Sequence, residues 1–156
     1  LLASSAASDV YKRQNMNYTF KENQLDYETY YILRKSVKWN NWSREQAEIA
    51  LGNSYYTVTV FDNKVPIGMG RAVGDGIYFM IMDIVVKPEY QRMGIGSTII
   101  HMLLEHIEKN MCVGSRVSVQ LISEPDKEQF YIKQGFKLIP HEYCGPALRR
   151  VIYKKG

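Results

Sequence analysis

Between Ile77 and Asn110 the chain runs from an apolar stretch, IYFMIMDIVV, through KPEYQRMGIGS into an amphipathic segment. Few folds accept that succession. Ile77–Val86 is apolar on both faces apart from Asp83, as a strand inside a sheet is. Ile100, Leu103, Leu104 and Ile107 recur at i, i+3, i+4 and i+7 with Glu105 and Glu108 on the wet side, so the spacing predicts a helix over Ile95–Asn110. The joint between them, QRMGIGS, lets Met93, Gly94, Ile95 and Gly96 aim backbone N–H groups at one point. The helix N-terminus adds about half a positive charge there. A Cβ at the glycines would block an anion and forbid the turn. Arg92 and Lys87 bring side-chain charge nearby. The bland alternative is a plain strand-to-helix turn.

Two common owners of such a phosphate fail. A Walker loop needs Lys after the second glycine, and Gly96 is followed by Ser97-Thr98. A dinucleotide fingerprint needs a third glycine at position 99, which is Ile99, and an acid some 20 residues on; residues 114–118 are Gly-Ser-Arg-Val-Ser.

The rest of the chain reads as one mixed α/β domain. Tyr18–Glu22 predicts a strand and Leu25–Val37 a helix. Ser43, with Gln46 at the capping-box position, opens a short helix to Leu51 that Gly52-Asn53 ends. Tyr55–Phe61 and Val65–Val73 form a hairpin over Asp62-Asn63, and Gly74-Asp75-Gly76 turns into Ile77–Val86. Val117–Ile122 is a strand, Glu124-Pro125-Asp126 opens a helix ending at Gly135, and Phe136–Ile139 and Leu148–Tyr153 are the last strands. The expected order is β-α-α-β-β-β-α-β-α-β-β.

Composition narrows the partners. At 46% hydrophobic and 23% charged the chain is an ordinary globular one. No apolar run reaches the ~18 residues of a membrane span. The net charge of +4 suits an anionic ligand, but the basic residues are too scattered for a nucleic-acid stripe. Cys112 and Cys144 make neither a disulfide scaffold nor a metal motif, which fits a reduced, cytoplasmic setting. His101 and His106, five apart on the long helix, read as solvated rather than as a metal pair. The opening LLASSAASDVYKRQN has no helical or strand period and reads as a non-native or disordered leader over 1–15, with Met16 as the natural start and 16–156 as the domain.

A second motif, FYIKQGF at 130–136, places its Tyr131 35 residues after Gly96. With DIVVKPEYQRMGIGS and the element order, it makes the chain resemble the GNAT superfamily of acyl-CoA N-acyltransferases, in the manner of a small bacterial single-domain member. The resemblance spans about Tyr18 to Lys155. The tail IPHEYCGPALRRVIY is similar to a bacterial subgroup that ends in a Pro…Gly-Pro segment.

What this implies is specific. The fold would be the mixed-sheet GNAT α/β fold with splayed central parallel strands. Acetyl-CoA would be the co-substrate, with no metal, and the acceptor a primary amine of a small molecule attacking directly in a ternary complex. Gln91, Arg92, Met93, Gly94, Ile95, Gly96 and Ser97 would hold the pyrophosphate, and Ile84, Val85 and Val86 would pair with the pantetheine arm like an added strand. Lys133 would reach a phosphate or lie solvated. Tyr131 matches the tyrosine that serves the leaving thiolate. A phenol near 10 against a thiol near 8.5 makes full proton transfer uphill by about 2 kcal/mol, so Tyr131 mainly donates a hydrogen bond unless its pKa is lowered. Family members often carry Glu or His where this chain has Met80 and Met82, so the usual base is missing. Alternation turns Asp83 to the opposite face, in a structural role. Glu124 and His141 remain candidates through water. Tyr30, Trp39 and Trp42 fall where the acceptor site is expected, or pack in the core. No acidic cluster offers a trough for a polycation. Neither a nucleic-acid nor a membrane partner is expected, and similar proteins commonly dimerise, so a homodimer is allowed. The other readings are a protein or peptide N-acetyltransferase and an acyl-CoA-binding regulatory module with little turnover.

Overall fold

The computed structural model describes residues 18–154. The expectation of a leader over 1–15 lies outside them. Ten elements follow in order: β1 (Tyr18–Glu22), α1 (Tyr27–Ser36), α2 (Arg44–Gly52), β2 (Tyr56–Asp62), β3 (Val65–Gly74), β4 (Tyr78–Val86), a 3-10 turn (Pro88–Tyr90), α3 (Ile95–Lys109), β5 (Ser118–Gln120) and α4 (Glu128–Lys133). The chain divides into two compact units, Leu1–Leu121 and Ile122–Gly156.

The first unit is built on a mixed five-stranded sheet in the order β1-β2-β3-β4-β5. β1 to β4 run antiparallel in succession, while β5 lies parallel to β4. The first two helices begin where side chains cap them. Asp26 accepts from the Thr29 N–H at 2.8 Å, so α1 starts at Tyr27 and Leu25 is left as core. Ser43 accepts from the Gln46 N–H at 3.2 Å, as its position predicts. Each cap of this kind is worth about 1 kcal/mol.

Successive residues of β3 face opposite sides. Gly68 and Gly70 lie under α3, whose Ile95, Ile99 and Leu103 reach them. Met69 faces the other way and packs with Val85, Leu25, Tyr30, Leu33 and Ala47 of the α1/α2 layer. Burying each large side chain of α3, Ile95, Ile99, Ile100, Leu103 and Ile107, stabilises by roughly 1.5–3 kcal/mol. His106 corrects the expectation of a solvated histidine. Its ring stacks on Tyr56 with centroids 3.7 Å apart and 5° between planes, and meets Tyr55 edge-on.

The second unit departs further from the sequence reading. The helix there is short, Glu128–Lys133, because Glu124–Lys127 forms a turn before it. Phe136–Ile139 and Leu148–Tyr153 form no strands. A strand exists through a partner, and here the backbone bonds close locally: His141 and Cys144 exchange both N–H···O bonds, and Pro140 and Pro146 have no N–H to give. Leu148, Ile152 and Tyr153 are consequently exposed.

Candidate active site

Beyond Met80, β4 has no strand partner on one edge among the described residues. Its parallel ladder with β5 comprises Tyr78↔Ser118, Phe79↔Val119 and Met80↔Gln120 and stops there. Val85 and Val86 keep their β3 partners, Met69 and Gly68. The Lys87 N–H donates to the Ile67 carbonyl on β3 at 2.8 Å. By alternation the backbone groups of Ile84 and Val86 turn toward the open side and those of Val85 toward β3. Of the three residues expected to meet a ligand's amides, Ile84 and Val86 therefore offer the edge. The Val86 carbonyl accepts from Gln91 Nε2 at 2.9 Å.

The glycine loop follows directly. Arg92 and Gly94 both have positive φ, 62° and 81°, so neighbouring N–H groups converge as they do in an anion-binding nest. Gly94 is the N-cap of α3 and supplies no capping side chain, and the first turn of the helix holds no acid. The first helical bond runs from the Thr98 N–H to the Gly94 carbonyl at 3.0 Å. Ile95 is 1% exposed and roots the turn in the core, whereas Gln91, Arg92 and Met93 are exposed and Gly96 and Ser97 half-buried. The stretch before it is pinned: Tyr90 donates to Asp62 Oδ2 at 3.0 Å, and that carboxylate pushes the Tyr90 phenol above its usual range. An open strand edge running into a nest at a helix N-terminus fits a ligand with amides at one end and phosphate at the other.

Other predicted site residues are placed less simply. Tyr30 is 2% exposed and belongs to the core, so it makes no wall for an acceptor; burial, then the Asp83 charge, push its phenol up. Trp39 packs against the same core, with Arg34 5.1 Å from its ring centroid. Trp42, 55% exposed, and Tyr31 and Ile32 of α1 are large apolar side chains left on the surface. Met80 and Met82 lie opposite Val73 and Arg71 and are half-buried.

Asp83 overturns the alternation argument. An extra residue in β4 bulges between Met82 and Val85, opposite Gly70, and turns the Asp83 carboxylate onto the α1 face, beside Arg71. It is nonetheless held in structure: Arg34 Nη1 and Arg71 Nε each donate to one of its oxygens at 2.6 Å. Local sequence shows nothing of this bulge. The one available signal is Gly70, where a Cβ would come within 2.6 Å of Ile84 Cδ1 and 2.5 Å of Ile99 Cγ2.

Within the second unit, Tyr131 is half-buried, with Phe130 and Phe136 edge-on to its ring at 5.0 and 6.2 Å. Burial, then the charge of Glu124, push its phenol up. Lys133 is exposed. The His141 Nδ1 accepts from the Tyr143 N–H at 3.3 Å. Among the described residues no group of three His, Cys, Asp or Glu side chains could hold a metal ion, and no helix is long and apolar enough to cross a membrane.

Known proteins resemble this chain in sequence and fold. The Acetyltransferase (GNAT) domain family matches residues 33–155. An uncharacterized N-acetyltransferase of Pyropia yezoensis is 29% identical over 133 residues, 82% of this chain and 70% of its own length. Serotonin N-acetyltransferase 2, chloroplastic, of Oryza sativa subsp. japonica is 32% identical over 87 residues, and the chain spans 41% of its length. A probable acetyltransferase from meticillin-resistant Staphylococcus aureus superposes with a TM-score of 0.73 at 31% identity, covering 85% of this chain and 99% of that one. A GNAT-family acetyltransferase of Streptococcus pneumoniae does so at 0.71 and 28%, covering 86% and 98%. A family match that runs through both glycine motifs, and a fold shared along nearly the whole of those structures, make this chain a member of the GNAT family of N-acetyltransferases.

Proposed function

We propose that the chain moves an acetyl group from acetyl-CoA to the primary amine of a small molecule, by direct attack in a ternary complex. The observation that carries this reading is the open β4 edge leading into the Gly94 nest. Ile84 and Val86 bind the amides of the pantetheine arm. Backbone N–H groups from Met93 to Ser97, with Gln91 and Arg92 beside them, bind the pyrophosphate, and Lys133 contributes charge toward a phosphate. Tyr131 stays protonated at every working pH, because its phenol is pushed up rather than down. Its role is to donate a hydrogen bond to sulfur as the thiolate leaves.

The attacking amine must lose a proton. An alkylamine with a pKa near 10.4 costs about 4 kcal/mol to neutralise near pH 7.4. Met80 and Met82 cannot take that proton, and both Asp83 oxygens are occupied by guanidinium groups. We assign the step to water, with Glu124 or His141 as its relay. Exposed Trp42 and Tyr31 favour an acceptor with an apolar or aromatic body, as the name of the rice relative also does. We place the protein in the cytoplasm.

Acetyl-CoA should raise the melting temperature, and Gly96→Arg should abolish that rise; no rise with the unaltered chain sinks the reading. Thiol release should then appear with some member of a panel of aryl and alkyl amines. The two methionines support one second reading, an acyl-CoA-binding module with little turnover. It becomes the better account if acetyl-CoA binds tightly and neither amines nor peptides are acetylated.

A further inference from the structure

The extra residue in β4 is gripped by a buried charge cluster. Met69 pairs with Val85 and Arg71 with Met82, so Ile84 and Asp83 together stand opposite Gly70. Asp83 has a φ of 52°, in the left-handed region. A residue other than glycine keeps that conformation where its surroundings over-determine it. Here Arg34 Nη1, from α1, and Arg71 Nε, from β3, reach the two carboxylate oxygens at 2.6 Å each. The three side chains are 10%, 9% and 7% exposed for Arg34, Arg71 and Asp83. Arg34 Nη2 also donates to the Asn40 carbonyl at 2.6 Å, and Arg71 Nη1 to the Ala50 carbonyl at 3.3 Å and Ser54 Oγ at 3.4 Å. One carboxylate thus ties the bulge to α1, to β3 and to the end of α2.

Stability alone does not account for this cluster. Two cations against one anion leave an excess buried charge, and the Arg34 Nε has no hydrogen-bond partner. Apolar side chains of similar volume generally serve stability as well or better. What the cluster does fix is backbone direction. Without the bulge, the alternation of β4 would shift by one residue, and every group beyond Asp83 would exchange edges or faces.

We propose that Arg71 and Arg34, acting through Asp83, are positioning residues for the transfer reaction. They hold the β4 bulge and so keep the backbone groups of Ile84 and Val86 aimed out of the sheet, where the acyl donor's arm is read. The ligand in this statement rests on the acetyl-CoA reading above; the grip on the bulge does not.

The test uses Arg71→Met, which leaves Arg34 and Asp83 as a balanced pair, and Arg71→Lys, which keeps the charge but cannot reach both Asp83 and Ala50. Amide exchange in the ligand-free protein is read residue by residue. In Arg71→Met the amides of Val85 and Lys87, which face β3 just beyond the bulge, should exchange roughly tenfold faster, while those of Val58 and Val60 are unchanged. With acetyl-CoA and an amine, KM for acetyl-CoA should rise about tenfold with KM for the amine unmoved, on the scale that small misplacements cost. Arg71→Lys should recover less than half of that change. Unchanged exchange at Val85 and Lys87 overturns the proposal, and so does faster exchange spread evenly through the sheet, which marks a purely structural role. If the unaltered chain does not bind acetyl-CoA, the donor reading fails while the exchange data still decide the grip. Should Arg71→Met not fold, Arg34→Met, which leaves the Arg71–Asp83 pair, is read the same way.

Discussion

The two ends of β4 make unlike use of the same kind of backbone. Phe79 and Met80 pair with Gly74 and Val73 on one side and with Val119 and Gln120 on the other. Val85 and Val86 pair with Met69 and Gly68 alone. The first end is finished sheet; the second keeps a row of donors and acceptors in reserve. A single strand can therefore anchor the fold and serve a ligand, provided that something separates its two ends. Here that something is the bulge at Asp83.

The comparison predicts that changes in the packed part cost stability and changes at the open part cost turnover. The largest effect should come from Leu103→Ala, which removes a fully buried side chain packed over Gly70. It should lose about 2–5 kcal/mol in urea unfolding, with KM for acetyl-CoA unmoved. Tyr131→Phe should do the reverse: kcat falls roughly 10- to 100-fold, the value of a hydrogen bond to a charged group, with unfolding nearly unchanged. An unchanged rate would remove Tyr131 from the chemistry. Gly70→Ala falls between the two, because its Cβ would press on both Ile99 and Ile84. Overpacking of this kind should cost about 1–3 kcal/mol and also disturb the open edge, so both stability and KM should move.

The smallest effect is with pH. The Tyr30 and Tyr56 phenols are pushed up, each chiefly by burial, with the Glu22 carboxylate adding to the shift at Tyr56. Their folded values lie above the unfolded value near 10. The stability they contribute is therefore fully present below pH 10 and lost as pH rises through the folded values. Melting temperatures from pH 8 to 11 should show this fall, and Tyr56→Phe should shrink it. Turnover should rise over pH 7 to 9 as the amine deprotonates, with stability flat.

Much of this was legible in the sequence, and the rest was hidden for physical reasons. The start of α2 at Ser43, the hairpin between β2 and β3 and the core face of α3 rest on local signals within a few residues; the first and last appear where the pattern puts them, and the hairpin turn falls one residue later, at Asn63-Lys64, because Asp62 still pairs with Val65. The two glycine motifs were readable as well, since a turn must be written at the place where it occurs. The bulge was not, because Arg34 lies 49 residues from Asp83 along the chain and only the fold brings their charges together. Tyr30 looked like a site residue because it is aromatic and close to Trp39; burial separates the two readings, and burial is not local. The last two strands failed for the same reason. β-branched and aromatic residues at 148–153 state a preference for extended backbone, whereas a strand also needs a neighbour.

The Gln91 amide that occupies the Val86 carbonyl carries a further consequence, for handling and for evolution. An unpaired strand edge is a template on which any other chain can add a strand, and proteins suppress such edges or suffer aggregation. By taking one acceptor of that row, Gln91 makes the row harder to extend with foreign backbone while leaving it open to a ligand able to displace a single amide. The same contact therefore acts as a gatekeeper of colloidal behaviour. A chain lacking it would be expected to store poorly even where it melts normally, and to store well again once acetyl-CoA is added.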